Sequence, residues 1–310
     1  MFSKESLYFR QVELIIKVAP YVANELDFAL KGGTAINLFI QDMPRLSVDI
    51  DLIYLPVKER AESLTAISEA LERIAIQIEK QLKGSMVQRL QQRGDAGLTK
   101  LMVSLDNVKI KIEPSTVLRG SVRGASMKSV VPASQDFFGY AEMQVVHQDD
   151  LYAGKLCAAL DRQHPRDFFD IRYFLHNGGI SDELIEVFIV YLISGNQAIV
   201  KLLHPNFIDI GETFKRQFAG MTREPVTLSE LEETRDELVS LINRRLSDQH
   251  REFLIGFKEG RPKWDLINLE GISELPAVKW KLINLDRMTT SARKAAVKKL
   301  RDVLNGSSNV

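Results

Sequence analysis

Two aspartates one residue apart, Asp49 and Asp51, stand in the run Arg45-Leu46-Ser47-Val48-Asp49-Ile50-Asp51-Leu52. Side chains of an extended chain alternate between faces, so Arg45, Ser47, Asp49 and Asp51 share one face, and the four apolar residues take the other. A rise of ~3.3 Å per residue sets the two carboxylates about 7 Å apart. Like charges at that spacing repel unless a cation lies between them. Mg²⁺ suits the position, since it is commonly held by one or two carboxylates together with substrate phosphates. Just upstream is Lys31-Gly32-Gly33-Thr34-Ala35. Two glycines let the backbone approach a ligand, and the free N–H groups of a helix that starts there form an anion site suited to a phosphate chain. A Gly-Gly turn or an Asp-x-Asp pair alone says little. In register, with an apolar alternate face, they describe a metal–triphosphate pocket. A third acid is expected from a neighbouring strand. In Val108-Lys109-Ile110-Lys111-Ile112-Glu113, the polar residues share a face and Glu113 stands before Pro114, placed to serve as a base or metal ligand. The plainer reading of Glu113 is a surface acid beside two lysines.

These residues need elements to carry them. Apolar residues at three- and four-residue intervals predict a helix over 5–24, and a short strand over 27–31 ends at the glycines. A helix follows over 34–40. Residues 45–55 form the clearest strand, closed by Pro56, since proline cannot continue a central ladder. Residues 58–83 predict a long amphipathic helix ending at Gly84. Two strands, 99–105 and 108–113, flank an Asp106-Asn107 turn, and another strand covers 142–147. From Asp149 the pattern is helical: 149–162, 166–175, 181–193, 195–203, 228–246, 249–258 and 290–304. The expected fold is α+β, with a mixed N-terminal sheet flanked by helices over 1–148 and a helical C-terminal domain over 149–310. Residues 263–270 and 279–286 echo each other, Lys-Trp-Asp-Leu-Ile-Asn-Leu-Glu against Lys-Trp-Lys-Leu-Ile-Asn-Leu-Asp. Two copies make no solenoid, and they read as two similar packing segments.

A second constellation lies at the start of the helical half: Asp150, Lys155, Arg162, then Pro165-Arg166-Asp167-Phe168-Phe169-Asp170. Lys155 and Arg162 are seven apart on one helix and share a face, while Arg166 and Asp170 are four apart on the next and can pair. Lys155 could donate to a triphosphate, with Asp167 or Asp170 orienting it or contacting the nucleotide. The alternative is a salt-bridge network joining two helices.

Gly-Gly-Thr-Ala followed by Arg-x-Ser-x-Asp-Ile-Asp-Leu resembles the first motif of the nucleotidyltransferase superfamily, and specifically of the AbiEii/AbiGii abortive-infection toxins. The Lys155…Arg162…Arg166-Asp167-x-x-Asp170 pattern is similar to that family's second signature, and residues 275–281 look family-like too. One departure is Glu113, where many superfamily members carry aspartate. The resemblance implies a bacterial toxin–antitoxin or phage-defence enzyme that moves a nucleotide from a nucleoside triphosphate to an acceptor and so blocks growth. In that reading Asp49, Asp51 and Glu113 hold two Mg²⁺ ions. Gly32, Gly33, Thr34, Arg45 and Ser47 line the nucleotide site with Asp167 and Asp170, and Lys155 offsets triphosphate charge. The acceptor end of tRNA is one substrate the resemblance suggests, and a protein hydroxyl is an alternative. A second class of function is a GTP-like binding effector without transfer chemistry. A cognate antitoxin from an adjacent gene is an expected partner.

The 310 residues carry 41 Lys+Arg against 41 Asp+Glu, which argues against a histone-like or polyanionic-tail protein. One cysteine, Cys157, excludes an intrachain disulfide framework and a cysteine-rich metal site; its apolar helical setting suggests a structural thiol. The five histidines show no ligand spacing. The N-terminal segment lacks the apolar core of a secretory signal, and no stretch has the ~18 apolar residues of a membrane span. A cytoplasmic protein without membrane contact is expected. Arg119 and Arg123 add positive charge near the expected pocket. Lys279, Lys281, Arg287, Arg293, Lys294, Lys298, Lys299 and Arg301 crowd the C-terminal region. Such a run is usually a solvated face, though clustered cations also bind nucleic-acid phosphates.

Overall fold

The computed structural model describes residues 2–91 and 97–306. Two compact units emerge, one of residues 1–151 with 218–225, the other of 152–217 with 226–310. The architecture is the α+β arrangement expected, a mixed sheet flanked by helices and a helical C-terminal region.

In the first unit, helix α1 (Leu7–Ala23) starts at Ser6, whose hydroxyl accepts from the Phe9 amide. Strand β1 (Phe28–Lys31) leads into α2 (Gly32–Thr34), which continues as a π-helical run over Ala35–Ile40. Then come β2 (Asp49–Tyr54), α3 (Arg60–Gln81), β3 (Met86–Leu90), β4 (Lys100–Leu105) and β5 (Val108–Arg119). Strand β6 (Ala125–Ser129), α4 (Pro132–Phe138) and β7 (Glu142–Val146) complete the unit's regular elements. Among the described residues the sheet has seven strands in the order β3-β4-β5-β2-β1-β7-β6. The pairs β2–β5 and β1–β7 are parallel, and the others antiparallel. Ile50, Leu52, Ile110 and Ile112 are buried, as their alternation requires, and α1 and α3 pack against the sheet.

Three differences from the sequence pattern bear on the site. The strand expected over 45–55 begins only at Asp49, because Arg45 instead bridges to Thr222 and the Leu46 amide donates to the Met221 carbonyl. A returning segment distant in sequence thus takes the edge that periodicity assigned to the sheet. Second, β5 runs through Pro114 to Arg119, so Glu113 sits mid-strand and not at a strand end. The ladder to β4 stops at Ile112, before the residue that lacks an N–H. Third, β3, β6, α4 and the helix at 276–286 exist where no element was expected.

The second unit is helical. Helix α5 (Gln148–Arg162) carries the chain into it, followed by α6 (Pro165–His176), α7 (Asp182–Ser194), α8 (Ile199–Leu203) and α9 (Gly211–Gln217). After the return at 218–225 come α10 (Leu228–Arg245), α11 (Asp248–Lys258), α12 (Pro276–Asp286) and α13 (Thr290–Leu304). Capping boxes at Thr227 and Ser247 start α10 and α11. The two echoing segments turn out unlike each other. Trp264 lies in a short 3₁₀ turn against Phe253, centroids 5.7 Å apart, whereas Trp280 is on α12 and 51% exposed. Pro276 at the first helical turn starts α12, and Gly271, at φ 71°, separates the copies. No helix among the described residues is long and apolar enough to cross a membrane.

Candidate active site

Asp49 and Asp51 occupy the first turn of the pleat in β2 and share a face, half-buried, while Ile50 and Leu52 are buried behind them. Parallel pairing puts Asp49 beside Lys111 and Asp51 beside Glu113; antiparallel pairing puts Lys31 on the other side of Asp51. The sheet register thus gathers Asp49, Asp51, Lys111 and Glu113 into one patch of a single face.

The glycine turn packs directly onto this patch. Gly32 has φ +73°, a left-handed conformation that costs glycine little, and a Cβ there would lie 2.9 Å from Asp51 Oδ2. A Cβ on Gly33 would meet Arg45 Nη2 at 2.7 Å and Ser47 Oγ at 2.8 Å. Both glycines are therefore required by close approach, the first to a carboxylate and the second to a guanidinium and a hydroxyl. Thr34 is 1% exposed, and its hydroxyl donates to the Asp49 carbonyl and lies 3.1 Å from Ser47 Oγ. This clamps the start of β2 to the turn. Arg45, 2% exposed, donates to the Leu46 carbonyl at 2.9 Å. Among the residues singled out from sequence, Gly32, Gly33, Thr34, Arg45, Ser47, Asp49, Asp51 and Glu113 thus belong to one neighbourhood of the first unit.

Glu113 accepts from two lysines, Lys100 at 2.7 Å and Lys111 at 2.8 Å. Burial alone would raise its carboxyl, but these two bonds outweigh it and hold the group below the ordinary glutamate value. Burial likewise opposes the Lys111 ammonium. The bond to Glu113 and the field of Asp49 and Asp51 overcome it and raise Lys111 above an ordinary lysine. Lys111 is one of the two lysines that the plainer sequence reading set beside Glu113, whereas Lys100 was not singled out. Arg119 lies elsewhere: it pairs with Tyr54, at the opposite end of β2 from Asp49, and is buried. Arg123 and Val122 donate their amides to the Asp150 carboxylate at 2.8 and 2.9 Å.

In the second unit, Lys155, Arg162, Asp167 and Asp170 form one network. The Lys155 ammonium is 2.8 Å from Asp167 and 2.9 Å from Asp170, and both carboxylates are fully buried. Arg162 reaches Asp167 through Nε at 2.6 Å and Nη2 at 2.9 Å. Burial would raise the Asp167 carboxyl, but the Lys155 and Arg162 charges reverse this and hold it far below the ordinary range. This geometry joins α5 to α6. Cys157 is partly covered, and burial pushes its thiol up, away from thiolate chemistry.

Mg²⁺ can be tested against this donor set. Two carboxylates on one face, with the Gly32 backbone lying close against one of them, suit a hard cation. The oxygens of Glu113 face lysines, and no group of three or more His, Cys, Asp or Glu among the described residues is arranged to hold a metal. The aspartates fit; the third acid is otherwise engaged.

Comparison with solved structures finds a similar fold in the nucleotidyltransferase toxin MenT4 from Mycobacterium tuberculosis H37Rv. The TM-score is 0.58 at 14% identity, over 96% of this chain and 95% of that one. A search of curated proteins finds no match. The family model for the nucleotidyl transferase AbiEii toxin of type IV toxin–antitoxin systems matches residues 17–284, a span that holds both the carboxylate patch and the Lys155 network. Matched over that length, the chain belongs to the AbiEii nucleotidyltransferase toxin family.

Proposed function

We propose that this chain is a Mg²⁺-dependent enzyme that transfers a nucleotide from a nucleoside triphosphate to the 3′ end of tRNA, and that it arrests growth of the cell that makes it. The observation that carries this reading is the seating of the Gly32-Gly33 turn against Asp51, Arg45 and Ser47. Glycine at position 32 lets the turn's backbone lie against the Asp51 carboxylate, and glycine at position 33 lets it lie against Arg45 and Ser47, which sets backbone N–H groups suited to a polyphosphate beside the carboxylates.

Asp49 and Asp51 would hold Mg²⁺. When bound, the metal supplies charge neutralisation for the triphosphate and for the departing pyrophosphate. The chain's own residues do the rest. Thr34 and Ser47 fix the turn relative to β2, so that Asp49 and Asp51 keep one position. Arg45, buried behind Gly33, adds fixed positive charge beneath the phosphate chain. The acceptor hydroxyl oxygen attacks the α-phosphorus, the bond to the β-phosphate oxygen breaks, and pyrophosphate leaves with that electron pair. The hydroxyl proton passes to a carboxylate of the patch; Glu113 would take it only once Lys100 and Lys111 have released its oxygens. In the second unit, Lys155 acts with Asp167 and Asp170 as a positioning group that fixes α5 against α6.

RNA as acceptor draws support from the C-terminal helices. Lys294, Lys298 and Lys299 are exposed on α13, and Arg287 lies over the exposed Trp280 ring, 5.8 Å from its centroid. Clustered cations with an exposed aromatic suit phosphates and unstacked bases. These substrates place the enzyme in the cytoplasm, where the product of an adjacent antitoxin gene would restrain it. Incubating the protein with each labelled ribonucleoside triphosphate, Mg²⁺ and either bulk tRNA or a protein extract tests the proposal. Label on tRNA supports it; label on protein alone transfers the role of acceptor to a protein hydroxyl and refutes the RNA assignment.

A further inference from the structure

We propose that Lys111, together with Lys100, keeps Glu113 from a divalent metal until a nucleoside triphosphate is bound, so that metal joins the site with its nucleotide and not as a bare ion. The inference rests on the reading of Asp49 and Asp51 as metal-binding carboxylates. Glu113 is in register with Asp51, in the middle of β5, where a third metal ligand would be expected to lie. Both of its oxygens are instead taken, Oε1 by Lys100 at 2.7 Å and Oε2 by Lys111 at 2.8 Å. Lys111 is itself in register with Asp49, so its ammonium stands beside all three acids. Three carboxylates face the ammonium groups of Lys100 and Lys111, with Lys31 in register beside Asp51, so the patch carries little net negative charge. A bare Mg²⁺ ion dehydrates reluctantly, and a patch of that charge offers it little return.

A triphosphate alters the balance. Its oxygens would add donors to a metal held by Asp49 and Asp51, and its negative charge would give both lysines another partner. Lysine suits such an exchange, being a compact charge on a flexible stem with three donors. The cost of letting Glu113 go is small, because both lysines and Glu113 are about one-third exposed and pairs of that kind contribute little to stability.

Mn²⁺ titrated into the full-length chain, followed by calorimetry and by the electron paramagnetic resonance signal of free Mn²⁺, tests this. Wild type, Lys111→Met, Lys111→Gln and Asp49→Asn are compared, each with and without non-hydrolysable α,β-methylene triphosphate analogues. Thermal unfolding establishes that each variant is folded; two substitutions at Lys111 guard against loss of either one. Without nucleotide, wild type should bind weakly and both Lys111 variants about tenfold or more tighter, as removal of a positive charge at close range implies. The analogue should tighten wild type by about the same factor and the Lys111 variants by much less. Equal Mn²⁺ affinity of wild type and Lys111 variants without nucleotide, with Asp49→Asn weak throughout, overturns the lysine exchange and leaves the aspartate site standing. Wild-type affinity in Asp49→Asn overturns the aspartate reading, and the proposal with it.

Discussion

Replacing Lys155 by methionine removes a charge and keeps most of the stem. The ammonium it deletes bridges Asp167 at 2.8 Å and Asp170 at 2.9 Å, carboxylates that have no exposure to water. Removing one partner of a buried ion pair costs about 3–5 kcal/mol, because the remaining charge is left without compensation. Arg162 still holds Asp167 through two bonds, which moves the expectation to the low end, about 3 kcal/mol. For a unit of about 150 residues that corresponds to a fall in Tm of roughly 6–12 °C. Both tryptophans, Trp264 and Trp280, belong to the second unit, so their fluorescence follows the unit that contains the network. Adding Asp170→Asn to Lys155→Met should restore roughly 1–2 kcal/mol, since the amide carries no buried charge. A tryptophan-detected midpoint that Lys155→Met leaves unchanged would refute the argument. Lys155 would then contribute nothing to joining α5 and α6 and be free for a ligand.

Gly33→Ala should reduce transfer at least tenfold, because its Cβ meets Arg45 and Ser47 at 2.7 and 2.8 Å; pyrophosphate release kinetics measure the loss. Gly32→Ala adds left-handed strain of about 1–2 kcal/mol to a contact with Asp51, and should lower both Tm and activity. The depressed carboxyl of Asp167 contributes stability that is fully present above the unfolded value near ~3.9 and lost as pH falls through the lower folded value. The stability gap between wild type and Asp167→Asn, read from urea unfolding, should therefore narrow below about pH 4; a gap constant down to pH 2 contradicts the assignment. Exchanging Lys294, Lys298 and Lys299 for glutamine should weaken tRNA binding and flatten its salt dependence by about 0.7–0.9 per lost contact, with triphosphate binding unchanged, in filter-binding assays across salt.

The placement of the candidate site residues was more legible in the sequence than the architecture around them. Asp49, Asp51 and the acid face of residues 108–113 follow from period-two alternation, because a half-buried strand enforces it, and the register brings them together. Gly32 and Gly33 were readable as close-approach residues, but which atoms they approach depends on the packing of 45–47 beside them. That packing was hidden because its partner, Thr222, lies far along the chain, and no local pattern encodes such a bridge. Pro114 misled for a related reason: a proline ends a ladder only where a neighbour needs its N–H, and β4 has already stopped. The lysines on Glu113 were in plain view as residue types. Lys111 follows from alternation within β5, but the pairing of Lys100 with Glu113 needed β4 beside β5, and strand pairing is a tertiary fact. The unlike fates of 263–270 and 279–286 make the same point: near-identical residues form a 3₁₀ turn in one context and a helix begun by Pro276 in the other.

The measurement closest to the central claim is transfer of α-³²P label from a mixture of ribonucleoside triphosphates to purified tRNA, with pyrophosphate release read in parallel. Wild type and Asp49→Asn are run with Mg²⁺ and with excess chelator. The account predicts label on tRNA matched by pyrophosphate for wild type with Mg²⁺, and neither product when the metal or the Asp49 carboxylate is removed. Saturable triphosphate binding without label or pyrophosphate from folded wild-type protein, or undiminished labelling by folded Asp49→Asn, would contradict it.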